Sequence, residues 1–450
     1  MKQFFYAFLL VAAMLMASCS KKDYVNVIPH DSIALMAVDM KNMELPQVAV
    51  APNQQSLPFL AGMFGIDLSV PVYAFETKEG NIGVCAKVDD VEKVKACVND
   101  MLVKQEVCTP LTQRKDFLFS VVKNSWMLGL SDDALLIMGP VVPSAQSQLQ
   151  LQMAKFLEAD SDKGIKDSPV FAKLDSLNAP VKMVAQAQAL PEQVAAPLTL
   201  GAPKDADASQ VLIAAEMKTE GNCLMLHSQA FSLNEKINEA IQENLKALRP
   251  IGNQYIKEAS ADDAAAVFLN VDGPKFLDIV KANKSLQLLL TGVNTAVDMD
   301  NIIRSINGEV AFFVRDGRSA DWTMYAQLAK TDFLADVEYW KQSAPQGMTI
   351  QDHGKNAFRV TGGDEKFLFG VTDDKQFYAA TNDSLVISEG RKNANPAPQS
   401  LTDKLQGQHM AVVVNIAQLL GPQADLALSY VQSIFGPIDH VVYTLSSNSK

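Results

Sequence analysis

Trp126-Met127-Leu128-Gly129-Leu130-Ser131-Asp132-Asp133 returns, respelled, as Phe367-Leu368-Phe369-Gly370-Val371-Thr372-Asp373-Asp374. Each octapeptide is an apolar strand with glycine in its fourth place, closed by a hydroxyl and two acids that suit a turn. Outward from this pair, a shift of roughly 230–240 residues brings further segments into one collinear order. Ala34–Asp39 answers Val267–Asp272, and Val72–Phe75 answers Val310–Phe313. Each of the latter leads through a Gly-containing turn into a return strand, Ile82–Val88 or Trp322–Ala329. Residues of period two stand out there: Ile82, Val84, Ala86 and Val88 in one, Trp322, Met324, Ala326 and Leu328 in the other.

A helix is expected next in both places. Val91, Val94, Val98 and Met101 recur at helical spacing behind a cap at Asp89 or Asp90, and Phe333, Val337 and Trp340 do so behind Thr331 or Asp332. Three-strand meanders follow, Phe117–Val122, Trp126–Leu130 and Leu135–Met138 against Ala357–Thr361, Phe367–Val371 and Phe377–Ala380. Last, the short helices Phe171–Leu177 and Leu401–Leu405 precede the strands Val181–Ala185 and His409–Val413. The expected fold is α+β: two tandem copies of a mainly antiparallel sheet unit with helices packed on one face. The copies span 24–258 and 259–450. A helix joins them, with a capping box at Ser232 and Glu235 and an apolar stripe of Ile237, Ile241, Leu245 and Leu248. Val211–Lys218 pairs by turn logic with Cys223–Phe231, but the matching strand His440–Ser446 has no return strand after it. Either it is an exposed edge or the chain stops short; an uncapped edge is an association liability, which favours the second.

The chain's address is written at its start. Lys2 precedes the apolar run Phe4–Met16, and Ala17-Ser18-Cys19 follows directly. This is the pattern of a lipoprotein signal, residues 1–18, whose removal leaves Cys19 as the lipid-bearing first residue of a tether, 19–23. Thirteen apolar residues are too few to span a bilayer, which needs roughly 17–25. The chain has 39 basic and 51 acidic residues, and an acidic excess argues against nucleic acid as a partner. Cys85, Cys97, Cys108 and Cys223 allow three complete disulfide pairings. Buried free thiols are the favoured reading, because cysteine is among the most buried residue types.

Linear motifs of chemistry are tested and set aside. Gly362-Gly363-Asp364-Glu365 is similar to the diguanylate cyclase signature, but the other copy carries Lys123-Asn124-Ser125 at that turn and export removes cytoplasmic nucleotide. The pairs Asp132/Asp133 and Asp373/Asp374 read as turn residues. Asp298-Met299-Asp300 lacks the glycine and terminal glutamate of a calcium loop. His30, His227, His353, His409 and His440 are scattered, without a zinc, nucleophile or phosphate motif. Trp126 and Trp340 read as core, and Trp322 and Tyr325 fall on opposite faces of one strand, so at most one is free to hold a sugar. No catalytic, cofactor or metal residue is named.

From Cys19-Ser20-Lys21-Lys22-Asp23-Tyr24-Val25-Asn26-Val27-Ile28-Pro29-His30-Asp31-Ser32 into Ala34–Asp39, the chain resembles a family of uncharacterised envelope lipoproteins of Bacteroides-type bacteria, classed as a domain of unknown function. The resemblance implies an envelope lipoprotein without assigned activity, and in such bacteria an acidic tag after the lipidated cysteine directs surface display. Here Ser20-Lys21-Lys22-Asp23 has one acid and two bases, which leaves the surface and the periplasmic face both open. The expectation is a lipid-anchored protein of the cell envelope, at the outer membrane, held through Cys19. It acts as a non-catalytic binding or assembly module for a protein or glycan partner. The alternatives are an envelope hydrolase with its site in the cleft between the repeats, and a carrier of apolar molecules.

Overall fold

The computed structural model describes residues 23–43, 64–160, 164–283, 297–316, 321–362, 365–382, 395–421, 432 and 435–445. It separates into two compact units, one of residues 1–35, 39–41 and 51–172, the other of 36–38, 42–50 and 173–450. The first holds β1 (Ala34–Val38, its end counted with the second), β2 (Ile66–Asp67), β3 (Val72–Glu76), β4 (Ile82–Val88), β5 (Thr112–Arg114), β6 (Phe117–Val122), β7 (Trp126–Leu130) and β8 (Ala134–Gly139). These pair in the order β1-β3-β4-β8-β7-β6-β5, with β2 on the free part of β4. Alternation does the sorting: Tyr73 and Phe75 of β3 are buried while their neighbours are half-exposed. Asp90 caps the helix Val91–Ala96, its carboxylate accepting from the amides of Glu92 and Lys93. The helix Gln146–Glu158 buries Leu149, Met153 and Leu157, spaced four apart, over the sheet.

The second unit contains β9 (Val181–Gln186), β10 (Leu212–Glu220), β11 (Cys223–Phe231), β12 (Ala265–Asp272), β13 (Ile306–Asp316), β14 (Asp321–Leu328), β15 (Met348–Gly354), β16 (Ala357–Gly362), β17 (Glu365–Val371), β18 (Gln376–Ala380), β19 (Met410–Asn415) and β20 (His440–Leu445). Its strand order is β9-β10-β11-β20-β19-β12-β13-β14-β18-β17-β16-β15, antiparallel throughout except for β11 and β20. The run β12-β13-β14-β18-β17-β16-β15 repeats the order found in the first unit, element for element. The protein is thus α+β and dominated by antiparallel sheet, with ten α-helices among the described residues.

Several expectations need correction. β20 is no edge: β19 flanks it on one side and β11 on the other, Cys223 lying opposite His440. That parallel pairing also explains why packing divides the chain after Ala172 rather than at 258/259, since it ties β9–β11 to the strands that follow. The N-cap of the helix Glu235–Leu245 is Asn234, which accepts from Lys236 and Ile237; Ser232 instead donates to the Gln210 carbonyl. Asn is as good a cap as Ser, and it stands nearer the apolar stripe, of which Ile241, Leu245 and Leu248 are buried.

Helices do not confine themselves to one role or one face. In the second unit Ile241, Leu277, Ile302 and Trp340, each from a helix, share one core with Phe369 and Phe377 of the sheet. The opposite face carries Phe268, Phe313 and Tyr325, too apolar to meet water, and it is covered by Tyr255 and Ile256 at a 3-10 turn, by Leu401 of the short helix Gln399–Thr402 and by Leu405. The sequence match of Ala34 to Val267 is also two residues off. The Ile33 amide donates to the Glu76 carbonyl as the Ala264 amide donates to that of Val314, which sets Ala34 beside Ala265. A slip of two keeps every side chain on its face, so the apolar pattern alone does not detect it.

Candidate functional site

The residues singled out in the sequence scatter over the fold. Cys19 lies outside the described residues, as do Gly363 and Asp364 of the Gly-Gly-Asp-Glu turn. Asp373 pairs with Lys355, and Asp374 accepts from Thr372 and Gln376, bonds that hold the turn after β17. Ser131 does the same after β7, its hydroxyl oxygen accepting from the Ala134 amide. Asp298 caps the helix Met299–Ser305, and Asp300 pairs with Lys281. Cys85, Cys108 and Cys223 are buried and Cys97 half-buried, all four as thiols; burial pushes the Cys85 thiol far above its ordinary range. Trp340 is buried and stacked on Phe333, ring centroids 6.4 Å apart, and Trp322 lies on Phe312 at 5.8 Å.

Three histidines do come near one seam. His227 of β11 has Nδ1 3.2 Å from Thr444 Oγ1 of β20, His440 opens β20, and the His409 amide donates to the Leu445 carbonyl. Burial lowers the pKa of all three rings, which keeps them neutral near neutral pH. Among the described residues no group of three or more His, Cys, Asp or Glu side chains is placed to hold a metal.

A concave site forms instead where the connection from β9 to β10 meets the end of the helix Gly273–Ala282. This cleft of about 390 Å³ is walled largely by small side chains, among them Ala187, Ala195, Ala196 and Ala202. Its floor is Val211 and Ile279, 3% and 4% exposed. The local sequence accounts for the shape. Residues 190–208 hold three prolines and five alanines with no long apolar period, so they form only one short helix, Glu192–Leu198, with Pro197 inside it. The wall is then tied down by hydrogen bonds. Thr199 Oγ1 donates to the Ala195 carbonyl at 2.9 Å, Asn283 Nδ2 to that of Ala196 at 2.7 Å, and Asn244 Nδ2 to that of Gly201 at 2.9 Å. Gly201, at φ +91°, turns where a side chain would meet Leu245 at 2.9 Å.

Chemically the cleft offers one carboxylate, Glu192, one ammonium, Lys204, the hydroxyl of Thr199 and the amides of Gln188 and Asn283. That set orients a ligand. Among the described residues it holds neither the second carboxylate of a glycosidase nor a histidine or other base paired with a nucleophile. The cleft draws on residues 187–211 and on Ile279, Ala282 and Asn283. Its residues were missed because alanine and proline carry no chemical motif; the only available signal was the unpatterned stretch itself.

No described helix is long and apolar enough to cross a membrane. No curated protein matches the chain. Among solved structures it is similar to crystal form III of TP0453, with TM-score 0.32 and 11% identity over 50% of this chain and 86% of that one. Crystal form I gives TM-score 0.31 and 10% identity over 50% and 84%, and form IV gives 0.31 and 9% over 46% and 79%. At the level of sequence, residues 60–403 match the family described as a domain of unknown function (DUF4836), and the chain belongs to that family.

Proposed function

We propose that the protein is a lipid-anchored lipoprotein of the cell envelope, held at the outer membrane through Cys19, and that it binds a ligand or partner without transforming it. The observation that carries the binding reading is the 390 Å³ cleft, whose walls are mostly small and apolar and whose few polar groups fit orientation rather than catalysis. The anchor reading rests on the order Lys2, Phe4–Met16, Ala17-Ser18-Cys19. We infer further that the chain arose from two copies of one α+β unit. This is supported by the shared seven-strand order and by matching isolated bridges, Pro29 to Gly164 and Ser260 to Pro396.

Filling the cleft tests the binding reading. Ala195→Trp abolishes fluorescence enhancement of an apolar naphthylamine probe while leaving the melting temperature within a few degrees. Enhancement that survives the filled cleft defeats the assignment of the site. Hydrolysis of an ester or glycoside panel that is lost in Glu192→Gln establishes the hydrolase reading in its place. For the anchor, Cys19→Ala moves the protein from the membrane fraction to the soluble one; unchanged fractionation refutes it. Protease treatment of intact cells then distinguishes the outer surface, where the chain is cut, from the periplasmic face, where it survives until lysis.

A further inference from the structure

A second concave site lies elsewhere in the second unit, between the turn around Ile256–Glu258 and the helix Gln399–Thr402. It has a volume of about 260 Å³. Three side-chain amides border it, Asn253, Gln399 and Gln406, with the hydroxyl of Thr402, the ammonium of Lys257 and the carboxylate of Asp403. Ile256 and Ala397 give it an apolar wall. Part of this set is already ordered: Gln399 Nε2 donates to Asp403 Oδ1 at 2.6 Å, and Thr402 Oγ1 donates to the Gln399 carbonyl at 3.1 Å. Among the described residues no side-chain hydrogen bond engages Asn253, Lys257 or Gln406, whose side chains are exposed.

The first unit furnishes the same corner with different side chains. Its corresponding corner has the same parts: a single bridge, Pro29 to Gly164; a 3-10 turn, Tyr24–Val27; a short helix, Pro169–Asp175; and a buried tyrosine, Tyr24, where the second unit has Tyr255. There two other contacts occupy the corner. Lys166 pairs with Asp23 across it, and the ring of Phe171 packs on Tyr73 with centroids 6.2 Å apart. Where the first unit has an ion pair and an aromatic ring, the second has amides, a hydroxyl and open volume.

We propose that this cleft is a binding site for a neutral saccharide. Amides and hydroxyls each donate and accept, as sugar hydroxyls do, so a ring of them is matched group for group. One ammonium and one carboxylate line the cleft, which leaves it without net charge and disfavours phosphate and metal ions alike. Its volume falls below the roughly 300–1,000 Å³ of pockets for drug-sized ligands, which limits the bound portion to about one sugar ring. The apolar wall takes the C–H face of that ring. This site is separate from the alanine-lined cleft and does not depend on the reading given to it.

The test is saturation-transfer NMR and titration calorimetry on the full chain. The probes are hexoses, N-acetylhexosamines and their dimers, with inorganic phosphate and an alanyl dipeptide as contrasts. At least one saccharide binds, and Thr402→Ala combined with Gln406→Ala weakens it at least tenfold with circular dichroism unchanged. Lys257→Gln changes that affinity less than threefold, because the ligand carries no charge, and Lys166→Ala in the first unit leaves it unaltered. Absence of binding by every saccharide, binding that survives the double variant, or binding of phosphate or dipeptide alone overturns the proposal.

Discussion

Gly129 and Gly370 occupy the same place in their octapeptides, yet each makes room for something different. A Cβ on Gly129 would come within 3.1 Å of Leu157 Cδ1 and Met153 Cε, the ends of two flexible side chains on the helix Gln146–Glu158, and 3.2 Å from the ring edge of Phe119 on the adjacent strand. A Cβ on Gly370 would meet Tyr378 Oη at 2.4 Å and Cζ at 2.6 Å, with the Asn356 carbonyl at 2.9 Å. One glycine admits a helix from another layer. The other admits a ring from the adjacent strand. The octapeptide therefore fixes strand, turn and the need for a small residue, while the neighbour that needs the space is decided elsewhere in the chain.

A second pair of positions sharpens the point. By the Ile33 and Ala264 hydrogen bonds, Ser32 stands where Asp263 stands, and Thr77 where Arg315 stands. The first unit buries two hydroxyls there, 3% and 1% exposed, the Ser32 hydroxyl donating to the Pro29 carbonyl at 2.7 Å. The second buries an ion pair, Arg315 Nη1 lying 2.7 Å from Asp263 Oδ1, with the guanidinium 4.1 Å from the Phe313 ring centroid. Removing one partner of a buried pair strands the other charge, so Asp263→Ala costs about 3–5 kcal/mol by urea denaturation. Ser32→Ala costs about 1 kcal/mol, the value of one neutral hydrogen bond. The double change Asp263→Ser with Arg315→Thr writes the first unit's solution into the second. It recovers most of the loss if the two corners are structurally equivalent, and recovery no better than Asp263→Ala breaks the equivalence.

The glycines come next in size. Gly370→Ala costs about 1–3 kcal/mol, the range for an overpacked core, and Tyr378→Phe restores part of it by removing the nearest atom. Gly129→Ala costs less than Gly370→Ala, because the ends of Leu157 and Met153 turn aside by small rotamer shifts and the Phe119 ring edge stands off at 3.2 Å. Equal costs at the two positions show that local backbone conformation, not the neighbour, selects glycine there.

Much of the architecture was legible because it is carried by period. Alternation placed the strands, and collinear order placed the two meanders within a residue or two. What period does not encode was misplaced. The partner of β20 is the distant β11, and nothing within either strand names the other. Ser232 and Asn234 are both good caps, and only the observed hydrogen bonds select Asn234. The concave sites were illegible for different reasons: Ala195 and Gly201 belong to a stretch without a chemical motif, while Asn253 and Gln406 border one cavity only through segments far apart in sequence.

The smallest effect concerns the helix after the return strand. Asp90 accepts from two free amides at the start of Val91–Ala96, whereas Thr331, at the start of the 3-10 turn Asp332–Asp336, makes no capping hydrogen bond. Asp90→Ala therefore lowers stability by less than the changes above, in the direction of a lost cap. Thr331→Ala costs almost nothing by the same argument, since no amide loses an acceptor. Low pH separates the two further. Its amide bonds hold the Asp90 carboxylate below the ordinary range, so its contribution is complete above the unfolded value near pH 4 and fades as the pH falls through the lower folded value. A cost for Asp90→Ala that does not shrink in acid, or a cost for Thr331→Ala that matches it, removes capping as the difference between the two helices and leaves packing to explain it.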